Sequence, residues 1–134
     1  MAYAQWINVE VNAIGLNINI KNARLGWGKF YANGNKDQEI SGDDINRIAI
    51  SDGHTHTICS CGRADAASGT EGHFDLYDGG TKIGTFSWEN PWGSKNNMVN
   101  WSLDADRGDY LADVDGGNLD SGAIGRVRIR VFKR

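Results

Sequence analysis

The sequence predicts an all-β chain, a single-domain antiparallel β-sandwich over residues 1–134 with at most one short helical turn. Three observations carry the prediction. Apolar residues recur with a period of two, turn-forming clusters separate these runs at intervals of roughly 8 to 12 residues, and helical periodicity is nearly absent. With no internal repeat and no Pro-rich linker, the chain reads as one module.

Taken in order, Tyr3 to Val11 is a strand by composition, with Val9 and Val11 in phase. Ile14, Leu16, Ile18 and Ile20 alternate with Gly15, Asn17 and Asn19 as a half-buried strand does. Asn33-Gly34-Asn35 is a turn. Asp43 to Ile48 is the one helical candidate, with Ser41 or Asp43 as its cap. Asp52-Gly53 and Asp78-Gly79-Gly80 are turns around the alternating run of Phe74 and Leu76, because Gly, Asn and Asp tolerate the positive φ of tight connections. Val99, Trp101 and Leu103 form another phase, which puts Trp101 in the core. After the turns at Asp106 to Asp109 and Asp115 to Asn118, Val127, Ile129 and Val131 alternate with Arg126, Arg128 and Arg130. The arginine row reads as a solvated face that discourages edge pairing.

Composition narrows function. The 134 residues carry 14 Lys+Arg against 17 Asp+Glu, a formal charge of −3, which argues against a phosphate-tracking nucleic-acid binder and against docking on anionic lipid by charge alone. The opening MAYAQWINVEV has no basic segment followed by an apolar run, so no secretory signal peptide is expected, and no stretch approaches a spanning helix. Cys59 and Cys61, one residue apart on a strand, sit near the upper limit of disulfide reach with poor geometry. Two free thiols are expected, as in a protein made in a reducing compartment.

The chemistry-bearing clusters are few. His54, His56, Cys59 and Cys61 are zinc-ligand types, but the offset of three between the pairs sets them on opposite faces of a strand, so no metal is expected. Carboxylates at Asp104, Asp106 and Asp109 and at Asp113, Asp115 and Asp120 suit calcium in chemistry and lack the EF-hand spacing. No nucleophile elbow or phosphate loop is present, no cofactor is implied, and an enzyme is not expected. What remains is tryptophan: Trp6, Trp27, Trp88, Trp92 and Trp101, four of them in or beside polar, turn-rich sequence. Amphipathic indoles suit two tasks, stacking on sugars and sitting at the headgroup level of a bilayer. A lectin-like module with Trp88 and Trp92 as its stacking platform is therefore the alternative to a lipid binder.

AYAQW at the start, the run from Ile20 to Lys29, GNKDQEIS from Gly34, CGRADAASGTEGHFDLYD from Cys61, NPWGSKNN from Asn90 and NLDSGAIG from Asn118 together resemble the aegerolysins, end to end and in order. The resemblance implies a small β-sandwich without a signal peptide, made in the cytoplasm and acting after release at the outer surface of target membranes. It implies recognition of a sphingolipid, sphingomyelin with cholesterol or ceramide phosphoethanolamine. It further implies recruitment of a partner with a membrane-attack-complex/perforin domain that makes a cytolytic, in some pairs insecticidal, pore. The protein itself is expected as a monomer or weak dimer.

By the same resemblance, Trp6, Trp27, Trp88 and Trp92 would cluster at one end of the sandwich. Lys95 or Arg63 would meet the phosphate, and Tyr77 or a carboxylate the amine. Some fungal members carry a carboxylate where Ser68 aligns; here the nearest acid is Glu71, which makes ceramide phosphoethanolamine or another lipid at least as fitting as sphingomyelin with cholesterol. The −3 charge agrees with a zwitterionic headgroup held in a shaped site rather than by bulk attraction.

Overall fold

The computed structural model describes residues 2–134. A 3-10 turn at Ala2–Ala4 precedes eleven strands: β1 (Trp6–Ile14), β2 (Ile18–Trp27), β3 (Lys29–Ala32), β4 (Asn35–Ile40), β5 (Ala49–Ile50), β6 (Thr55–Cys61), β7 (Thr70–Asp78), β8 (Thr81–Asn90), β9 (Met98–Leu103), β10 (Tyr110–Gly116) and β11 (Gly125–Lys133). The one helix, α1, spans Gly42–Ile45, and Ser41 caps it: its Oγ accepts from the Asp44 N–H at 3.1 Å.

Two sheets face each other, ordered β10-β11-β1-β6-β3-β4 and β5-β2-β7-β8-β9. All pairings are antiparallel but one: β1 and β11, the first and last strands, run parallel side by side. Period-two burial makes the sandwich. Along β1, Ile7, Val9, Val11 and Ala13 are buried while the residues between them are not, and Val127, Ile129 and Val131 of β11 do the same beside them. Phe74, Phe86 and Trp88 bring the facing sheet into the same core, with ring centroids 5.5 to 6.2 Å apart.

The run from Ile14 to Ile20 is not one strand. Gly15 at φ +80 breaks it, and Leu16 is buried in the connection between β1 and β2, so unbroken alternation hides a turn. The arginine row is outward-facing as expected but guards no edge, because β11 is paired on both sides, with β10 and β1; Arg128 pairs with Glu10 at 3.5 Å, and Arg130 with Asp113 of the adjoining strand. Asp104 meets Lys82 at 3.0 Å and Asp115 lies 3.9 Å from Arg130, so three carboxylates of the Asp-rich segments serve ion pairs.

A second, smaller apolar cluster lies on the outer face of the six-stranded sheet. Cys59 and Cys61 are free thiols buried there beneath Tyr31, Tyr3 and Trp6. Ile58 and Ser60, in the opposite phase of β6, face the sandwich interior. Burial pushes the Cys59 thiol up to about 12. His54 and His56 are exposed, and His56 lies in the phase of β6 opposite the thiols.

Candidate functional site

Both sheets converge at the end where β2 and β8 finish and β1, β7 and β11 begin, and close backbone approaches shape a groove there. Gly28 follows Trp27 at φ +91, where an added Cβ would lie 2.5 Å from the Cys61 carbonyl oxygen. Gly69 passes so close to the end of β8 that a Cβ would sit 1.8 Å from the Asn90 carbonyl oxygen. No larger residue fits at either place without moving backbone. The result is an open groove of about 490 Å³ bordered by Trp27, Ser68, Glu71, Glu89, Trp92 and Lys95. Trp27 is 59% exposed and Trp92 39%, high values for indoles.

The Trp92 loop is held by buried amides. Asn90 is fully buried and donates from Nδ2 to Asn97 Oδ1 and to the Gly122 carbonyl, both at 2.8 Å. Asn97 donates to the carbonyls of Asn118 at 2.8 Å and Gly122 at 3.0 Å, and its backbone N–H reaches the Leu119 and Asp120 carbonyls. From the N-terminal side Gln5 Nε2 donates to the Pro91 carbonyl at 2.6 Å. Three sequence-distant motifs, AYAQW, NPWGSKNN and NLDSGAIG, are thereby the parts of one hydrogen-bonded clamp on the loop that carries Trp92. The 117–124 loop in turn presents Leu119, 56% exposed.

Beneath the groove runs a buried hydroxyl relay. The Lys29 carbonyl is acceptor only and takes the single Ser60 O–H at 2.8 Å, which fixes the direction: Thr70 donates to Ser60 Oγ at 2.6 Å, and Trp88 Nε1–H donates to Thr70 Oγ1 at 3.1 Å. The relay ties the two sheets together through their cores. It also corrects the expectation for Trp88, which is 1% exposed. Its indole packs edge-on to Phe30 and tilted against Phe74 and Phe86, in phase with Phe86 along β8. Trp88 is a core residue, and the sugar-stacking platform of Trp88 with Trp92 does not exist.

The other expected residues divide by position. Trp27, Trp92, Lys95, Ser68 and Glu71 come together in the groove. Trp6 lies at the same end and borders a different cleft, on the outer face of the six-stranded sheet. Tyr77 does not join them: it stands six residues beyond Glu71 on β7, about 20 Å along the strand, where Lys21 Nζ sits 4.5 Å from its ring centroid. Arg63 is held by Glu39 through a two-pronged ion pair at 2.9 and 3.1 Å and does not border the groove. That bond pulls the Glu39 carboxyl below its usual range and raises Arg63.

Sequence reasoning missed Glu89. It stands directly across from Glu71 in the β7–β8 pairing, and Met98, 42% exposed, stands across from Glu89. Among the described residues neither glutamate nor Lys95 is in an ion pair. Two carboxylates and one ammonium, flanked by exposed indoles, form a groove that suits a zwitterion: anionic side toward Lys95, cationic side toward the glutamates and the ring faces. Among the described residues no helix is long and apolar enough to cross a membrane.

Comparison with known proteins identifies the family. Residues 4–134 match the family model described as Aegerolysin. Asp-hemolysin of Aspergillus fumigatus is 42% identical over 99% of this chain and 96% of its own length, and ostreolysin A6 of Pleurotus ostreatus is 38% identical over 100% and 99%. The crystal structure of RahU protein in complex with a Tris molecule superposes with a TM-score of 0.93 at 42% identity, covering 99% of this chain and 98% of that one. A family model spanning nearly the whole length, with relatives of this similarity at full coverage, establishes that the chain belongs to the aegerolysin family.

Proposed function

We propose that this protein docks on membranes by seating the zwitterionic phospho-headgroup of a sphingolipid in the Trp27–Trp92 groove, and then recruits a perforin-like partner that builds a cytolytic pore. The observation that carries the reading is one groove holding two exposed indoles beside charges of both signs, on an end of the sandwich that also exposes Leu119 and Met98. Lys95 meets the phosphate; Glu71 and Glu89 meet the amine. A small ammonium makes closer contact with paired carboxylates than a quaternary one, which favours ceramide phosphoethanolamine over sphingomyelin. The name of Asp-hemolysin, a relative at 42% identity, supports a cytolytic setting.

The partner supplies the pore. A spanning strand needs about 9 to 11 residues with a lipid-facing apolar row, and the long strands here direct their apolar rows into the sandwich core. Action then falls on the outer surface of target cells, reached after release from the cytoplasm.

The test is pelleting with vesicles of phosphatidylcholine alone and with ceramide phosphoethanolamine, sphingomyelin, or sphingomyelin plus cholesterol. Trp27→Ala and Trp92→Ala each weaken binding to the preferred sphingolipid about thirty-fold, about 2 kcal/mol for an aromatic anchor. Both side chains are exposed, so the unfolding midpoint stays put. Undiminished pelleting of both variants refutes the site.

A further inference from the structure

The cleft bordered by Trp6 is separate from the Trp27–Trp92 groove and has its own chemistry. It is a depression of about 570 Å³ on the outer face of the six-stranded sheet. Strand register builds its floor: Arg126 of β11 pairs with Asn8 of β1, Asn8 with Cys59 of β6, and Cys59 with Tyr31 of β3, so one row crosses four strands. Trp6 stands two residues along β1 toward the groove end, and the β3–β4 hairpin closes one wall with Asn33, Asn35 and Lys36.

The cleft is rich in donors. Tyr31 Oη donates to Asn8 Oδ1 at 2.8 Å, the Asp37 backbone N–H donates to Asn35 Oδ1 at 3.0 Å, and Cys59 Sγ lies 3.8 Å from Asn33 Oδ1. All three amides thus use their oxygens within the protein, which leaves their NH₂ groups for a ligand. Lys36 Nζ lies 5.3 Å from the Trp6 ring centroid and donates to the Tyr3 carbonyl at 2.7 Å, with further N–H groups to spare. Among the described residues Arg126 forms no ion pair, unlike Arg128 and Arg130 in the same row. Asp37 is the one acid in the cleft, and Tyr3 Oη donates to it at 3.1 Å.

We infer that this cleft binds a monoanionic sugar, one ring carrying a carboxylate or a sulfate ester. Lys36 and Arg126 against Asp37 give a net charge of +1, which matches one negative charge and not the near-dianion of a phosphate monoester. The guanidinium fork holds two oxygens of the carboxylate or sulfate, the three amides donate to ring hydroxyl oxygens, and Trp6 supplies an apolar surface for the C–H face of the ring. Because the cleft shares an end with the membrane-docking groove, the sugar can come from an acidic glycolipid in the same membrane or from a free saccharide.

Calorimetry with 3′-sialyllactose, lactose 3-sulfate and lactose reads the charge requirement directly. At least one of the two anionic sugars binds tenfold or more tighter than lactose, and Arg126→Ala and Lys36→Ala each remove most of that advantage. Arg126 is exposed, so the thermal midpoint of Arg126→Ala stays near the parent's; Lys36 is half-buried and bonded to the Tyr3 carbonyl, so Lys36→Ala is read at a temperature where it is fully folded. Trp27→Ala leaves sugar binding intact, which separates failure of this inference from failure of the sphingolipid reading. Phosphatidylcholine vesicles with sialyl-lactosylceramide or lactosylceramide distinguish the sources: capture on the former alone, above free-sugar affinity, assigns a glycolipid, and equal affinity for free sugar assigns a saccharide. Absence of binding to both anionic sugars, equal binding of lactose, or full binding by Arg126→Ala overturns the inference.

Discussion

Replacing Asn90 by alanine removes the centre of the clamp on the Trp92 loop. The side chain is fully buried; it donates two hydrogen bonds at 2.8 Å and accepts a longer one from the Ile124 N–H at 3.4 Å. Of the partners left behind, the Gly122 carbonyl keeps the Asn97 amide at 3.0 Å, while Asn97 Oδ1 and the Ile124 N–H lose theirs. An orphaned buried polar group costs about 1–3 kcal/mol. Two such groups, one of them weakly bonded in the parent, give an expected loss of about 3 kcal/mol. With a urea m-value of about 2 kcal/mol/M, the unfolding midpoint drops by about 1.5 M. Equilibrium urea unfolding followed by tryptophan fluorescence measures it. Asn97→Ala costs a similar amount, and because both single changes remove the one hydrogen bond the two amides share, the double variant loses less than the sum by about 1 kcal/mol or more. Sphingolipid-vesicle binding of Asn90→Ala falls below what its folded fraction accounts for, since the Trp92 loop loses its tether. A loss under about 1 kcal/mol, or additive single losses, would show that the amides do not act as one clamp.

Two further perturbations test other parts of the account. Gly69→Ala drives a Cβ into the Asn90 carbonyl oxygen and lowers stability by more than about 3 kcal/mol, whereas Gly93→Ala, at φ +90 with open space around it, costs about 1–2 kcal/mol; comparable urea midpoints for the two would contradict the close approach. Asp78 is held below the usual carboxylate range by hydrogen bonds from Lys133 and from Tyr110, whose hydroxyl is pushed up to about 12 by the same contact. A depressed folded-state value stabilises above the unfolded value near pH 4 and loses that contribution as pH falls through the folded one. Asp78→Asn is therefore less stable than the parent at pH 7, and the gap closes toward pH 2; a pH-independent gap would assign the loss to packing.

Strands were legible because burial in a sandwich alternates residue by residue, and Val9, Val11, Val127, Ile129 and Val131 are all buried as their phase demands. Ser41 and the short helix were legible through capping chemistry. The Ile14 to Ile20 run misled because the break at Gly15 preserves the apolar phase across a turn. The parallel pairing of β1 with β11 joins residues more than a hundred positions apart, which no local pattern records.

Within the site, the tryptophans were legible as a set and not individually. Trp88 shares its phase with buried Phe86, a signal that it belongs in the core, and the surrounding Ser87, Glu89 and Asn90 obscured it. Tyr77 was misplaced because position along β7 decides its end of the molecule, while motif membership placed it near Glu71. Glu89 became a site residue only through its register opposite Glu71. Asn90 and Asn97 were visible inside NPWGSKNN, yet their role as buried tethers depends on a loop more than twenty residues away.

The parallel alignment of the first and last strands gives the molecule a head and a tail. β1 starts and β11 starts beside the indoles, so the chain enters at the groove end, where Gln5 touches Pro91; β11 then runs the length of the sandwich and leaves at the opposite pole, where Arg134 bonds the Asp109 carbonyl. A fluorophore or cargo joined ahead of Ala2 would sit between the groove and a target bilayer. One joined after Arg134 would point into solvent, which makes the C-terminal side the place for a reporter and, under the proposed docking, the pole left open to a second protein.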